Sequence, residues 1–287
     1  MNLYYLGKGG NFGDLVNEAI FQELFHQEIQ RTRFYTADYF GIGSILSKVL
    51  YDQRIGTSKF SSNIKRKFYS VTLKDKPITI LGSGFIEDVR KTFRALETFR
   101  ELKVVALRGR KTKEILEEII GSELHSVALG DPGLLASELI KGEEVHKKYN
   151  LGVIPHIVDQ DSDFVRRLSK RNDIRILNIR SEPRAFLKEV AACKAIASST
   201  LHGLIASDSL NIPNLWVKMS DKIYGEDFKY HDYYSTFGVE LKPVDVRIAN
   251  LNGITQNYVS EAYSINQEKV KLVKRNLEAA IRESLRE

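Results

Sequence analysis

Short apolar runs alternate with longer segments of helical periodicity along most of the 287 residues. This alternation is typical of α/β proteins built on parallel sheets. Strands are predicted near residues 2–6, 33–36, 77–82, 103–107, 126–129, 150–155, 174–179, 194–198 and 214–218. Helices are predicted near residues 14–27, 43–54, 89–99, 111–120, 161–171, 183–192, 200–209 and 266–285.

A charged, loosely patterned stretch at residues 138–149 interrupts this alternation, and a new apolar strand begins at Leu151. We therefore predict an N-terminal Rossmann-like domain over residues 1–144 and a C-terminal one over residues 145–265. Residues 266–287 contain the last predicted helix.

A histidine lies where one predicted strand passes into a helix, in the segment Ser-Ser-Thr-Leu-His-Gly at residues 198–203. Ser198 or Ser199 is the expected cap of that helix, which should end near Asn211. A helix N-terminus carries partial positive charge and unpaired N–H donors, so it can receive a phosphate or a carboxylate. His202 lies in its first turn, although a single histidine is more often structural than catalytic.

A glycine-rich loop, Gly-Lys-Gly-Gly-Asn-Phe-Gly-Asp at residues 7–14, joins the first predicted strand to the first helix. Glycine lets the backbone approach a ligand closely because it lacks a Cβ. The loop is not a dinucleotide fingerprint, since Phe12 stands where the third glycine should be, and no Gly-Lys-Ser/Thr closes a Walker loop. A tight turn capped by Asp14 explains one or two glycines, but not four together with Asn11 and Asp14.

Six motifs, taken in order, resemble those of the polysaccharide pyruvyl transferase family, in particular its bacterial exopolysaccharide branch. They span roughly residues 3–238 and are Gly10–Asp14, Arg108–Thr112, Leu129–Leu135, Pro155–His156, Ser199–Ala206 and Gly225–Tyr234. Any one of these motifs can occur by chance in an unrelated protein, but all six in this order are specific to the family. The resemblance implies two Rossmann-like domains facing a cleft, as in GT-B glycosyltransferases, with the last helix crossing back onto the first domain.

The resemblance further implies an enzyme that moves pyruvate from phosphoenolpyruvate onto a sugar as a cyclic ketal and releases phosphate. The acceptor is expected to be a saccharide of a polysaccharide or of its lipid-linked precursor. The donor carries a phosphate and a carboxylate, so its pocket needs cations and N–H donors, and its enol carbon must be protonated. We expect no metal and no other cofactor, with a magnesium pair of Asp14 and Asp131 as a minor alternative.

Roles are carried over by matching these motifs. The general acid or base is expected to be His202, whose reference pKa lies near neutral pH, while Asn11 and Asp14 face the acceptor. Thr200 stands where family members often have arginine, and Asp131 is either a site residue or a turn former. The predicted catalytic residues are His202 and Asp14, and the predicted substrate-binding residues are Arg108, Asn11, His156, Ser198, Ser199, Thr200, Arg180 and Lys229.

Composition narrows the class of protein. The net charge of +6 suits anionic substrates, and no RNA-binding module is recognised, so no nucleic-acid partner is expected. Positive charge concentrates at residues 48–76, either as a solvated helix pair or as a surface that binds anionic lipid headgroups or a pyrophosphate-linked acceptor. The single cysteine, Cys193, excludes an internal disulfide.

The sequence also bears on localisation. With no leader and no long apolar run, the chain is expected in the cytoplasm, peripheral at the inner face of the membrane.

Two alternatives remain at this point. A GT-B glycosyltransferase would use the same cleft and bind the diphosphate of a nucleotide sugar at residues 198–202. The second alternative is a non-catalytic scaffold of a polysaccharide-synthesis complex. Thr200, in place of the arginine common in the family, favours a scaffold. The presence of Arg108, His156 and His202 argues against it.

Overall fold

The computed structural model describes residues 1–7, 10–52, 71–73, 75–91, 96–225, 227–247 and 253–286. Its strands are β1 (Asn2–Tyr4), β2 (Gln30–Arg31), β3 (Tyr39–Phe40), β4 (Leu50–Asp52), β5 (Ile78–Leu81), β6 (Leu96–Thr98), β7 (Leu102–Leu107), β8 (Ala128–Leu129), β9 (Tyr149–Ile154), β10 (Ile174–Ile176), β11 (Cys193–Ser198), β12 (Asn214–Lys218) and β13 (Val244–Asp245). Its α-helices are α1 (Phe12–Ala19), α2 (Arg110–Ile120), α3 (Asp163–Leu168), α4 (Pro183–Ala191), α5 (Leu201–Ser209), α6 (Phe228–Ser235), α7 (Gln256–Ala262) and α8 (Gln267–Ser284).

Two parallel sheets organise the described residues. The first has six strands in the order β2-β1-β3-β5-β7-β8, and the second has five in the order β10-β9-β11-β12-β13. A short antiparallel pair, β4 with β6, lies outside both. The α/β class with parallel sheets is thereby confirmed.

Each sheet changes the direction of its strand order once. In the second sheet, β9 is followed in the chain by β10 on one side, whereas β11 is followed by β12 on the other. The corresponding point of the first sheet lies between β1 and β3. Ligands of open parallel sheets bind at the carboxyl ends of the strands at such points. The loops that follow β1, β3, β9 and β11 are therefore the first places to look for a site.

Hydrophobic packing connects the elements that carry the two sheets. One buried cluster contains Leu3 and Phe12 from the start of the chain together with Phe186 and Ile196 from its second half. The Phe12 and Phe186 rings lie 4.7 Å apart, centroid to centroid. The start of α1 is thus fixed against α4, and the predicted domain boundary near residue 144 stays a prediction.

Helix α8 packs against β7 and β8 of the first sheet. Val273 and Leu277 on this helix lie so close to Gly130, just after β8, that a Cβ at Gly130 would meet them at 2.6 and 2.7 Å. The Lys274 ammonium donates to Ser137 Oγ at 2.6 Å. The end of the chain therefore supports the strand that leads to Asp131.

Several helix boundaries follow from capping residues. Helix α2 ends at Gly121, whose positive φ of 68° suits glycine. Helix α5 ends as predicted, ahead of Asn211, which takes a left-handed φ of 57°. Helix α4 begins with Pro183 after Glu182, whose carboxylate accepts two N–H bonds of the first turn.

The structure corrects some predicted elements. Residues 34–36 form a turn, and the flanking pairs β2 and β3 form the strands instead. The predicted helix at 43–54 is a 3₁₀ turn over Leu46–Val49 followed by β4, and the one at 89–99 is a 3₁₀ turn over Val89–Lys91 followed by β6. These segments are short, and their apolar side chains are spaced compatibly with either strand or helix.

Most of the basic stretch falls outside the described residues. Arg54, Lys59, Lys65, Arg66, Lys67 and Lys74 all lie there, as do Lys8 and Gly9 of the glycine-rich loop. The predicted contact with an anionic membrane surface stays a prediction. Within the described part of the chain, no helix combines the length and the apolar character needed to cross a membrane.

Candidate active site

The start of α1 lies directly against the imidazole of His202. A Cβ built at Gly13 would stand 2.0 Å from His202 Nδ1 and 2.4 Å from its Cε1. Only glycine leaves room for the ring there. The two sequence motifs that contain Gly13 and His202 therefore meet at the carboxyl ends of β1 and β11.

Thr200 caps helix α5, which corrects the prediction that Ser198 or Ser199 does so. Its side chain accepts a hydrogen bond from the Gly203 N–H at 2.8 Å. An arginine at this position has no acceptor atom and could not form that cap. Thr200 thus has a structural function that the sequence did not predict.

Ser198 and Ser199 hold the turn that precedes the helix. The Ser198 hydroxyl donates to the Ile154 carbonyl at 3.2 Å and accepts from the Thr200 N–H at 3.0 Å. The Ser199 hydroxyl donates to Asp159 Oδ2 at 2.8 Å. Both hydroxyls are buried and bonded within the chain, so they fix the position of His202.

His156 follows β9, next to this turn. Its backbone N–H donates to Ser199 Oγ at 2.9 Å, and its Nδ1 accepts from the Val158 N–H at 3.3 Å. Burial and the nearby Lys229 charge lower the pKa of His156. The neutral ring therefore has Nε2 as its remaining hydrogen-bonding atom.

Asp131 faces His202 from the loop after β8. Its Oδ2 lies 3.8 Å from His202 Nε2, and its other oxygen, Oδ1, accepts from the Gly133 N–H at 2.8 Å. The sequence left open whether Asp131 is a turn former or a site residue. In the structure it caps a turn and also faces His202. Burial raises the pKa of Asp131 to about 6.

Two cations act on this cluster. Burial and the positive charges of Arg108 and Lys229 lower the pKa of His202 to about 3, so the ring is neutral near neutral pH. Burial and the Arg108 charge lower the pKa of Lys229 to about 8. The Lys229 ammonium also lies 5.4 Å from the centre of the Tyr230 ring.

Arg108 is buried and engaged within the protein. Its Nε and Nη2 both lie 2.9 Å from Asp232 Oδ2, Nη1 donates to Ser44 Oγ at 2.6 Å, and Nη2 also donates to the Phe85 carbonyl. The side chain is 1% exposed. That Arg108 binds an anion of the substrate stays a prediction; in the protein alone it affects the site through its charge.

Asn11 and Asp14 form the cap of α1. Asn11 Oδ1 accepts from the Asp14 N–H at 3.2 Å, and Asn11 Nδ2 donates to Asp14 Oδ2 at 2.5 Å. Burial raises the pKa of Asp14 to about 7, against the opposing effect of Arg31. A substantial fraction of this carboxyl therefore carries a proton at neutral pH, one residue along the chain from Gly13.

Arg180 lies at the same edge, after β10. It is exposed, and its backbone N–H donates to Asn178 Oδ1. The neighbouring Ile179 carbonyl accepts from the Phe12 N–H at 2.6 Å. Arg180 therefore lies near the start of α1.

Three further polar residues position these elements, and sequence reasoning missed them. Asp232 on α6 accepts from Arg108 and also from the Thr112 N–H and hydroxyl. Asn17 on α1 exchanges two hydrogen bonds with the Ile42 backbone after β3. Asp159 accepts from Ser199. Their partners are distant in the chain, so local patterns contain no signal for them.

A cavity of about 650 Å³ lies near the His202 turn, although Asp14, Asp131 and His202 are not among its lining residues. One wall belongs to α6 and β12, and the other belongs to Val89–Lys91 and α2. The Tyr230 hydroxyl on the first wall donates to the Ser199 carbonyl at 2.8 Å, and Trp216 pairs with Ser198 in the sheet. Its lining residues are Asp88, Arg90, Lys91, Lys111, Glu114, Trp216, Val217, Lys218, Ser220, Asp221, Ile223, Asp227, Phe228, Tyr230 and His231.

Comparison with known proteins identifies the family. A model of the family described as polysaccharide pyruvyl transferase matches residues 11–221, which include Gly13, Asp131 and His202 but end before Lys229. The chain belongs to the polysaccharide pyruvyl transferase family. This confirms the resemblance inferred from the sequence motifs.

Two proteins are similar to this pyruvyltransferase over most of its length. "Uncharacterized protein L143" of Acanthamoeba polyphaga mimivirus is 29% identical over 242 residues, covering 83% of this chain and 75% of the relative. "Succinoglycan biosynthesis protein ExoV" of Rhizobium meliloti (strain 1021) is 21% identical over 249 residues, covering 86% and 67%. No solved structure matches the chain significantly.

The family membership confirms the predicted enzyme class. The protein is a pyruvyltransferase, and polysaccharide is the general class of its acceptor. Among the residues that the structure describes, no group of three or more His, Cys, Asp or Glu side chains is arranged to hold a metal ion.

Proposed function

We propose that the enzyme transfers the pyruvyl group of phosphoenolpyruvate to two hydroxyls of one saccharide residue, forming a cyclic ketal and releasing phosphate. The observation that carries this proposal is the convergence of Gly13, Asp131 and His202 beside the cation Lys229. A neutral proton acceptor next to a fixed positive charge suits a doubly acidic donor and a hydroxyl nucleophile.

The donor would lie against Lys229. Among the described residues its ammonium forms no hydrogen bond or ion pair, whereas Arg108 is paired with Asp232. A half-buried cation of this kind favours a phosphate or carboxylate, because less water competes for it than at the surface. Arg180 supports the same assignment, because it is exposed and positively charged near the start of α1.

The reaction needs one proton delivered and two removed. A proton added to the methylene carbon of the enol makes C2 electrophilic, and the first sugar hydroxyl adds there and loses its proton. Phosphate then leaves C2 with its bonding electrons, the second hydroxyl adds, and its proton goes to phosphate. Asp14, with a pKa of about 7, suits the donor of the first proton, and His202 suits the acceptor.

Substrate binding would itself raise the basicity of the His202 imidazole. The positive charges of Arg108 and Lys229 contribute to the low pKa of its imidazole. A dianionic donor bound beside these charges would offset them and raise the pKa of the ring toward its ordinary value. His202 would thus become a more effective base once the donor is in place.

The saccharide acceptor would occupy the 650 Å³ cavity between α2 and α6. Its volume suits a small ligand, and its mixture of carboxylates, ammonium groups and aromatic rings provides partners for hydroxyls and sugar faces. The reacting hydroxyls would extend beyond the lining of this cavity, past Tyr230, to reach Asn11 and Asp14. We propose a lipid-linked oligosaccharide as the acceptor, and two domains, residues 1–144 and 145–265, facing a shared cleft.

Calorimetric titration with phosphoenolpyruvate tests the proposal. The wild-type protein should bind it, and Lys229→Gln should weaken binding by about 10-fold or more, since a charge-assisted hydrogen bond contributes about 1.5–3 kcal/mol. Affinity should also fall as the pH rises from 7 to 9, because Lys229 loses its proton near a pKa of about 8 in the free protein.

Lys222→Gln is the matched control, because Lys222 is an exposed lysine on the loop between β12 and α6. It should bind phosphoenolpyruvate as the wild type does. Wild-type protein that binds UDP or GDP but not phosphoenolpyruvate would overturn the proposal. Equal affinities for the wild type and Lys229→Gln would remove Lys229 from the donor site.

A further inference from the structure

Two buried polar atoms face each other at the centre of the site. Asp131 Oδ2 and His202 Nε2 are both inaccessible to solvent, and neither has a hydrogen-bond partner among the described residues. They lie 3.8 Å apart. An unsatisfied buried polar atom destabilises the folded state, so this pair should have a compensating function.

The backbone fixes Asp131 in this orientation. Its Oδ1 accepts from the Gly133 N–H at 2.8 Å and caps the 3₁₀ helix Pro132–Ile140. Because one carboxylate oxygen is held by the cap, the other points toward His202. The side chain is fully buried, so its free oxygen faces protein and not bulk solvent.

One face of the ring is covered as well. A Cβ at Gly13 would stand 2.0 Å from Nδ1 of His202 and 2.4 and 2.5 Å from Cε1 and Cγ, which places it over the ring face and not on the line of the Nδ1 lone pair. The imidazole is therefore held by a carboxylate facing Nε2 and by the start of α1 against its face. A small closure of the 3.8 Å gap would let an Nε2–H donate to Asp131.

We propose that Asp131 is the positioning residue of His202. Its Oδ2 holds the imidazole proton on Nε2, so that Nδ1, beside Gly13 and the Asn11–Asp14 cap, carries the lone pair that accepts a proton from the substrate hydroxyl. The catalytic part of this statement depends on the function proposed above, whereas the tautomer is a property of the protein alone.

Other charged groups surround the pair. Arg108 and Lys229 both act on His202, and Arg108 and Asp232 act on Asp131 with opposite signs. The two cations disfavour an imidazolium, so the ring is neutral near pH 7. The question is therefore which nitrogen carries the single proton, and Asp131 is the nearest acceptor.

Long-range ¹⁵N–¹H correlation spectra of protein labelled at its six histidines answer this question, with His202 assigned by comparison with His202→Gln. At pH 7 the wild type should show the Nε2–H tautomer of His202. In Asp131→Asn the amide retains the cap, because asparagine caps as well as aspartate does. Its NH₂ group would then face Nε2, and the tautomer should change to Nδ1–H.

Asp131→Ser is the second variant, since serine also caps but has no group that reaches His202. It should give a mixture of tautomers. If the wild type shows Nδ1–H or an imidazolium at pH 7, or if Asp131→Asn leaves the tautomer unchanged, Asp131 does not position His202. Because these spectra need no substrate, this outcome is separate from any failure to bind phosphoenolpyruvate.

A kinetic measurement links the tautomer to turnover. With phosphoenolpyruvate and an acceptor saccharide, Asp131→Asn should lower kcat for phosphate release by about 100-fold or more. The KM for phosphoenolpyruvate should stay within about threefold of the wild-type value, because the change affects proton transfer. If Asp131 had a purely structural role, Asp131→Asn would change the melting temperature and leave the tautomer of His202 unchanged.

Discussion

At the scale of single residues, Gly13 is where the smallest change should reach the reacting centre. A methyl group added there would meet His202 Nδ1 at 2.0 Å, so Gly13→Ala must displace the ring. A displacement of about 1 Å at a reacting group costs about 100-fold in rate. We expect Gly13→Ala to lower phosphate release by about that factor, which is also the smallest loss we expect of His202→Ala.

Gly253→Ala is the control for this prediction, because a Cβ at Gly253 would meet nothing within 4 Å. Its rate and melting temperature should match those of the wild type. Wild-type activity in Gly13→Ala would show that the imidazole occupies another position during turnover. Circular dichroism separates a displaced ring from a protein that has failed to fold.

The sequence predicted the residues of this contact but not the contact itself. The glycine-rich loop and the His202 segment were both recognised, and both were expected at the carboxyl ends of strands. Gly13 was interpreted as a residue that lets a ligand approach, whereas its missing Cβ accommodates the His202 ring. Residues so distant in the chain are brought together by packing, of which Phe12 against Phe186 is one part.

At the scale of elements, one buried ion pair fixes α6 to the first sheet. Asp232 is 0% exposed and accepts from Arg108 and from Thr112 at the start of α2. Asp232→Ala would leave the Arg108 charge buried without its partner, which typically costs about 3–5 kcal/mol. Urea denaturation should show this loss in the free energy of unfolding.

Asp221→Ala provides the comparison, because Asp221 pairs with Lys218 and Arg247 at the surface and is 66% exposed. Such exposed pairs contribute about 0–1 kcal/mol. Equal losses in the two variants would contradict a structural role for the Arg108–Asp232 pair. Arg108 would then be available to bind substrate, as the resemblance to the family implies.

The elements that the sequence missed share a physical cause. Strands β2 and β3 contain two residues each, too few for an alternating pattern, and they are defined by parallel pairing with β1. Helix α6 has an aromatic, weakly amphipathic sequence, so its burial follows from Asp232 and the Trp216–Tyr230 stacking. Long strands with apolar runs, such as β9 and β11, were predicted to within a residue or two.

At the scale of the whole molecule, the C-terminal helix α8 stabilises the strand end that carries Asp131. Leu277 on this helix is fully buried and lies against Gly130, the residue before Asp131. Leu277→Ala should lower the free energy of unfolding by about 2–5 kcal/mol, because it removes buried apolar contact and leaves a cavity. It should also lower phosphate release, since β8 would lose the support that directs Asp131 at His202.

Leu272→Ala is the control, because it tests whether the loss of stability depends on where the leucine lies on the helix. Leu272 lies on the same helix, five residues earlier, and is 49% exposed. Leu272→Ala should change stability by less than about 0.5 kcal/mol and leave the rate unaltered. If Leu277→Ala lost stability but retained full activity below its melting temperature, the site would not depend on α8. Asp131 would then be held by its own cap to Gly133 alone.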